Sequence, residues 1–362
     1  MIDQLIQQIA DIQATADGKY FPNGIFPSYR QNKFIHYKRP DNTIFFTAIT
    51  VFTLQKLKPF LSELSQKLVE EITKKAILNY PNYQNKDGLK TYNFFPTCPP
   101  KPFGNGYLLH RFNYFELPDD IDDTALIYLT QQHSETDILW LKNKLAQHAN
   151  GVSKNIKNTF PEYKTLKAYS TWFGKNMYIE FDACVLCNIL YCVFEYQLPL
   201  NEYDKDSLKY LQQIILSNQY LKKPFNVAHH YVRTEIIIYH IARLMAAFEI
   251  EELEECREKL VRDIEGLLEK KGGDNYSKIL LETSLLRLTS LETSNHSSPP
   301  APSGGATNSP AGGWEAFFIA GFLTAFENPL IYRFAPNKLF HFEWTCEAHT
   351  LALLAENLVL KK

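Results

Sequence analysis

The sequence predicts an all-α protein, a single domain built as an (α/α)6-type double-ring helical toroid. Two observations lead there. Apolar residues recur at helical spacing along most of the 362 residues, and period-two alternation, the mark of half-buried strands, is scarce. About a dozen helices taken in pairs give about six hairpins, enough to close a double ring.

The first helix is read from Ile2, Leu5, Ile6, Ile9 and Ile12, which share one face. Helical patterns follow at about 43–57, 60–79, 119–133, 136–149, 181–197, 205–218, 230–249, 251–270, 275–289, 314–326 and 340–360. The β-branched run at 233–241 (RTEIIIYHI) continues into Ala-Arg-Leu-Met-Ala-Ala, which favours helix by length and propensity. In a double ring the inner helices are the more apolar, as residues 181–194 and 236–248 are. The connection at 80–118 contains Pro96, Pro99, Pro100, Pro102 and Pro118 and is too long for a bundle loop, which marks it as a functional segment. Residues 293–313 are rich in Ser, Pro and Gly and carry no large apolar side chain. Burial there cannot offset the entropy of ordering, so the segment reads as a flexible insertion within one domain.

Composition narrows the function. Lys plus Arg number 38 against 40 Asp plus Glu, a formal charge of -2, so nothing favours a nucleic-acid partner. Aromatic residues reach 14% of the chain, enough to line a cavity with rings. Six cysteines, three of them inside one apolar segment, suit reduced buried thiols. The N-terminal MIDQLIQQIADIQ has neither the basic start nor the apolar run of a secretory signal, and no 18-residue apolar stretch occurs, so a cytoplasmic protein is expected.

The strongest local signal is Asp119-Asp120-Ile121-Asp122-Asp123, four carboxylates opening an apolar helix. Acidic side chains complement the helix dipole, and Asp119 could cap the turn. That accounts for one or two aspartates better than for four, because like charges within a turn repel unless a proton, a cation or a hydrogen-bond network compensates. If the turn faces an enclosed cavity, at least one carboxyl holds its proton near neutrality and becomes a donor.

These residues carry a resemblance. Asp120-Ile121-Asp122-Asp123-Thr124-Ala125 is similar to the DxDDTA motif of the class II terpene cyclases, within the wider superfamily of toroidal terpenoid cyclases and prenyltransferases. The resemblance implies Asp122 as the general acid that protonates an alkene or epoxide, with Asp120 and Asp123 tuning it. It also implies a helical toroid, an isoprenoid-like substrate, aromatic walls that stabilise cations, and no cofactor. The same residues satisfy DDxxD through Asp119, Asp120 and Asp123, the class I pattern that holds Mg²⁺ and a diphosphate. The segment Asp274 to Glu282 has Ser277 at the wrong offset for the second metal motif, so proton-initiated chemistry ranks first.

Further polar residues are candidates for the same cavity. Trp172 and Asp182 flank the start of an apolar helix, and Asn188 lies inside it, where an amide must find partners. His230 and Arg233 precede the 236–248 segment and could bond the acidic turn or a substrate anion. Glu343 and Glu347 are placed one turn apart on the last helix. Cys184 and Cys187 form a lone CxxC among Val, Leu and Ile, which reads as core rather than zinc. Residues 101–106 lack the Lys and Ser/Thr of a phosphate loop and read as a turn. Two other functions remain open: a carbohydrate-active enzyme using paired carboxylates, and a non-catalytic helical scaffold that binds a lipid or peptide. A polyprenyl substrate would bring peripheral membrane contact with it.

Overall fold

Side-chain caps open α-helices at five places in the computed structural model, which describes residues 1–98, 117–174, 177–270, 274–289, 317–321 and 328–362. The insertion at about 293–313 and the turn at 101–106 lie outside these residues. Fifteen helices occur among the described residues: α1 (Ile2–Ile12), α2 (Phe45–Leu57), α3 (Glu63–Ile77), α4 (Ile121–Thr130), α5 (Glu135–Gln147), α6 (Ala183–Glu195), α7 (Glu202–Leu216), α8 (Gln219–Lys222), α9 (Pro224–Val227), α10 (Thr234–Ala247), α11 (Glu251–Glu254), α12 (Arg257–Leu268), α13 (Asn275–Thr289), α14 (Pro329–Tyr332) and α15 (Glu347–Leu360). Ser62 and Ser134 cap α3 and α5, and Asn201 with Asp204 forms a capping box on α7. The single pattern at 251–270 is two helices, broken at Glu255 and Cys256.

Helices α2, α4, α6 and α10 are buried along nearly their whole length, as helices apolar on all sides must be. Helix α2 packs on α4, α4 on α6, α6 on α10, α10 on α13 and α13 on α15, and α15 returns to α2. Polar side chains that these helices turn towards one another therefore meet in surroundings from which water is largely removed. Helices α1 and α3 pack on α15 and α2, and α12 packs on α13.

The expected all-α double-ring toroid is corrected by a four-stranded antiparallel sheet in the order β2-β1-β4-β3, with β1 Ser28–Asn32, β2 Tyr37–Pro40, β3 Phe318–Gly321 and β4 His341–Cys346. Two of its strands fall in windows read as helix, 314–326 and 340–360. The physical reason is range: Arg30 of β1 lies opposite Trp344 of β4, and Trp344 opposite Phe318 of β3. Such pairing is set by distant backbone, not by local periodicity. The sheet is fixed by a buried polar pin. Trp344 Nε1 donates to Asp41 Oδ2 at 2.9 Å, and the Arg30 guanidinium lies 3.6 Å from the same carboxylate, facing the rings of Tyr37, Phe342 and Trp344.

Candidate active site

The acidic turn is held by backbone on both sides. Asp120 N donates to Tyr92 O at 3.1 Å, Ile121 N to Thr171 O at 2.9 Å, and Phe173 N to Asp119 O at 3.0 Å. Clamped in this way, the four aspartates take different roles. Asp119 turns its carboxylate to the 85–93 loop, accepting from Asn85 Nδ2 at 2.6 Å, Thr91 Oγ1 at 2.5 Å and Asn93 Nδ2 at 3.4 Å. It is therefore a loop anchor, and the helix cap is Asp120, whose Oδ1 accepts the Asp123 amide at 2.8 Å.

Asp122 points into the packed interior and is 5% exposed. Its Oδ1 accepts from Asn188 Nδ2 of α6 and its Oδ2 from the Tyr231 hydroxyl. The Asn188 amide cannot be flipped, because its Oδ1 accepts from Arg243 of α10, and a guanidinium only donates. Three helices, α4, α6 and α10, are thus joined through one chain: Asp122, Asn188, Arg243.

A second chain lies beside it. Asp182 caps α6 through the amides of Cys184 and Val185, at 2.9 and 3.3 Å, and its other oxygen accepts His230 N at 2.8 Å. Glu180 Oε1 is 2.6 Å from His230 Nε2, and its Oε2 is 3.6 Å from His229 Nδ1. Consecutive residues therefore grip both carboxylates, His230 holding Asp182 and Tyr231 holding Asp122. The Trp172 ring meets the His230 ring edge-on at 5.5 Å, and its Nε1 finds no acceptor among the described residues.

Five buried carboxyls, Asp120, Asp122, Asp123, Glu180 and Asp182, surround two cations, so they cannot all be ionised. Burial pushes Asp122 above the usual carboxylate range, against the hydrogen bonds of Tyr231 and Asn188 and the charges of His230 and Arg243. Asp123 is pushed well up by burial and then by the charges of Asp120 and Asp122, and its Oδ1 has no partner among the described residues. Asp120 is raised to about 7, chiefly by burial, while its capping bond opposes the rise. Burial also lifts Asp182 to about 7. For His230, burial works against the charge, yet Glu180 overrides it and raises the imidazolium to about 9. His229, buried and poorly placed for Glu180, falls to about 4. Aromatic rings flank the acid: Tyr231 lies 6.0 Å from Phe45, 5.8 Å from Phe317 and 4.9 Å from His240, and Phe45 lies 6.5 Å from Phe94.

Of the residues read from sequence, Asp120, Asp122, Asp123, Trp172, Asp182, Asn188 and His230 come together. Arg233 and Glu343 do not join them. Arg233 pairs with Glu235 at 2.5 Å and Asp274 at 3.0 Å. Glu343 lies on β4, where Gln31 Nε2 reaches it at 3.4 Å, while Glu347 is exposed at the start of α15. Both Arg233 and Glu343 border a different cleft of about 780 Å³ that also includes Lys222, Lys338 and His341. Cys184 and Cys187 are free, buried thiols. Sequence reasoning gave no site role to Glu180, Tyr231 or Arg243, although Tyr231 and Arg243 belong to the polar cluster it noted at 229–243. The available signal was an arginine inside the apolar run HIARLMAAF, which needs a buried partner just as Asn188 does.

Among the described residues, no group of three His, Cys, Asp or Glu side chains converges as metal ligands would, and no helix is long and apolar enough to cross a membrane. No protein-family model, curated protein or solved structure matches the chain.

Proposed function

We propose that the protein is an acid-initiated cyclase or isomerase in which Asp122 protonates the alkene of a prenyl-type small molecule, as the terpenoid cyclase resemblance implies. The observation that carries this reading is the state of Asp122. It is a buried carboxyl that burial drives towards its protonated form, oriented by Asn188 and Tyr231 and flanked by rings. In the first step the Asp122 O–H bond breaks and the alkene π pair forms a C–H bond, leaving a carbocation. A second alkene of the same molecule closes on the cation; a C–H bond beside the final cationic carbon then breaks, its pair forming the new alkene and its proton replacing the one Asp122 gave, so the product is an isomer of the substrate. The rings of Phe45 and Phe317 beside Tyr231 would supply the aromatic surroundings of the cationic stage. A formal net charge of -2 offers no support for a nucleic-acid partner. The free state of all six cysteines suits a reducing, cytoplasmic setting, with peripheral membrane contact where a polyprenyl substrate resides.

The test is incubation with linear polyprenyl alcohols and diphosphates, with and without Mg²⁺, read by mass spectrometry. Asp122→Asn keeps the hydrogen bonds, its oxygen still accepting from Asn188 and its amide donating to Tyr231, but it holds no transferable proton. A cyclised isomer with its diphosphate retained, formed about 10²–10⁴ times more slowly by Asp122→Asn, is expected. Diphosphate release that requires Mg²⁺ would move the chemistry to the DDxxD reading of Asp119, Asp120 and Asp123. Product formation unchanged in Asp122→Asn, or no turnover of any polyprenyl, would overturn the proposal.

A further inference from the structure

We propose that a second cleft, floored by Arg243 and Arg287, is a binding site for an oxyanion of the phosphate class. The cleft measures about 710 Å³ and is bounded by Phe52 and Lys56 of α2, Tyr191 of α6, Arg243 of α10, Arg287 of α13 and Glu356 of α15. It lies at the far end of the Asp122–Asn188–Arg243 chain, and the inference goes beyond the chemistry assigned to Asp122.

One buried guanidinium and one nearly buried share too few acceptors here. Arg243 is 5% exposed; its Nη2 donates to Asn188 Oδ1, while its Nε and Nη1 have no acceptor among the described residues. Arg287, its side chain 12% exposed, pairs through Nη2 with Glu356 Oε1 and leaves Nη1 without an acceptor. The other oxygen of Glu356 is already taken by the Tyr239 hydroxyl at 2.7 Å. Both guanidiniums lie on the Tyr239 ring, at 5.6 and 4.9 Å from its centre, and Arg243 also lies 5.1 Å from the centre of Phe52. Stacking fixes the two forks but supplies little charge compensation.

An arginine does not deprotonate in a protein, so two forks with a single carboxylate in direct contact keep unfilled donors. Lys56 at the side of the cleft adds a third cation, paired with Glu195 at 2.6 Å. A tetrahedral oxyanion offers several acceptor oxygens at once and matches the planar fork of arginine. The volume exceeds that of phosphate alone. The apolar wall of Phe52 and Tyr191 suits the organic part of a phosphate ester. The larger cleft near Lys222 and Lys338 differs in that its lysines reach solvent.

Isothermal titration of the full chain with inorganic phosphate, pyrophosphate and succinate tests the site. Saturable binding of phosphate or pyrophosphate, weakened about tenfold or more in Arg287→Gln and in Arg243→Lys, is expected, because each change removes a charge-assisted bond or the fork that makes it. Thermal melts of both variants establish that they are folded, and Arg287→Gln, nearer the surface, keeps the test open if Arg243→Lys fails to fold. Lys222→Gln with Lys338→Gln should leave affinity unchanged. Absence of binding at millimolar anion, affinity within about twofold of the parent in Arg287→Gln, or loss in the Lys222/Lys338 variant instead would overturn the proposal. Succinate binding as tightly as phosphate would overturn the phosphate assignment.

Discussion

Replacing Asn188 by alanine removes the amide that stands between a carboxyl and a guanidinium, and its cost follows from the geometry. Asn188 is fully buried and makes two side-chain hydrogen bonds, one to Asp122 and one from Arg243. Bonds to ionisable partners contribute about 1.5–3 kcal/mol each, and both partners would be left in low-dielectric surroundings, so a loss of about 3–6 kcal/mol is expected. Urea denaturation followed by tryptophan fluorescence should show a lower midpoint at an unchanged slope. A second measurement isolates the cause. In Asn188→Ala with Arg243→Met the stranded cation is gone, so the double variant should be more stable than the sum of the singles by about 1–3 kcal/mol. Strict additivity, or a loss below about 1 kcal/mol for Asn188→Ala, would refute the argument that these groups depend on one another.

Two further outcomes are expected. His230 has its value raised from 6.5 to about 9 in the folded protein. Its contribution, on the order of 3 kcal/mol, is therefore complete below pH 6.5 and lost as pH rises through 9. Asp120 and Asp182, raised to about 7, lose their share by that point, so the fall in stability above pH 7 should flatten in His230→Gln; an identical slope in the variant would sink the assignment. Gly24→Ala should cost about 1–3 kcal/mol or more, read as a shift in the urea midpoint, because Gly24 has φ +92° and an added Cβ would lie 2.3 Å from Lys75 O. A variant as stable as the parent would show that the 22–26 turn can shift.

How much of the site is legible in the chain alone depends on the range of each interaction. The acidic turn declared itself through four carboxylates on one apolar helix, a conflict of charge and burial that any fold must resolve. Asn188 did so as an amide in an apolar run. The division of labour was not legible. Capping was expected of Asp119, yet it falls to Asp120 because the backbone of 91–93 and 171–173 clamps the turn in one register. Arg233 and His230 looked equivalent in sequence, yet the chain bends at 229–231, sending His230 to Glu180 and Arg233 to Asp274.

By itself the sequence determined most of the long helices to within a few residues, since capping and amphipathic spacing act at short range: α13 occupies the expected 275–289 window, and α2 and α6 lie inside theirs, while the short α8, α9 and α14 were not read. Tertiary structure alone decided the sheet, because β4 finds β1 across most of the chain and its residues satisfy a helical pattern equally well until that partner is present. It also decided which buried charges face each other. A carboxyl such as Asp122 has no fixed proton affinity in a sequence; its environment supplies one, and that environment is made by α4, α6 and α10 packing together.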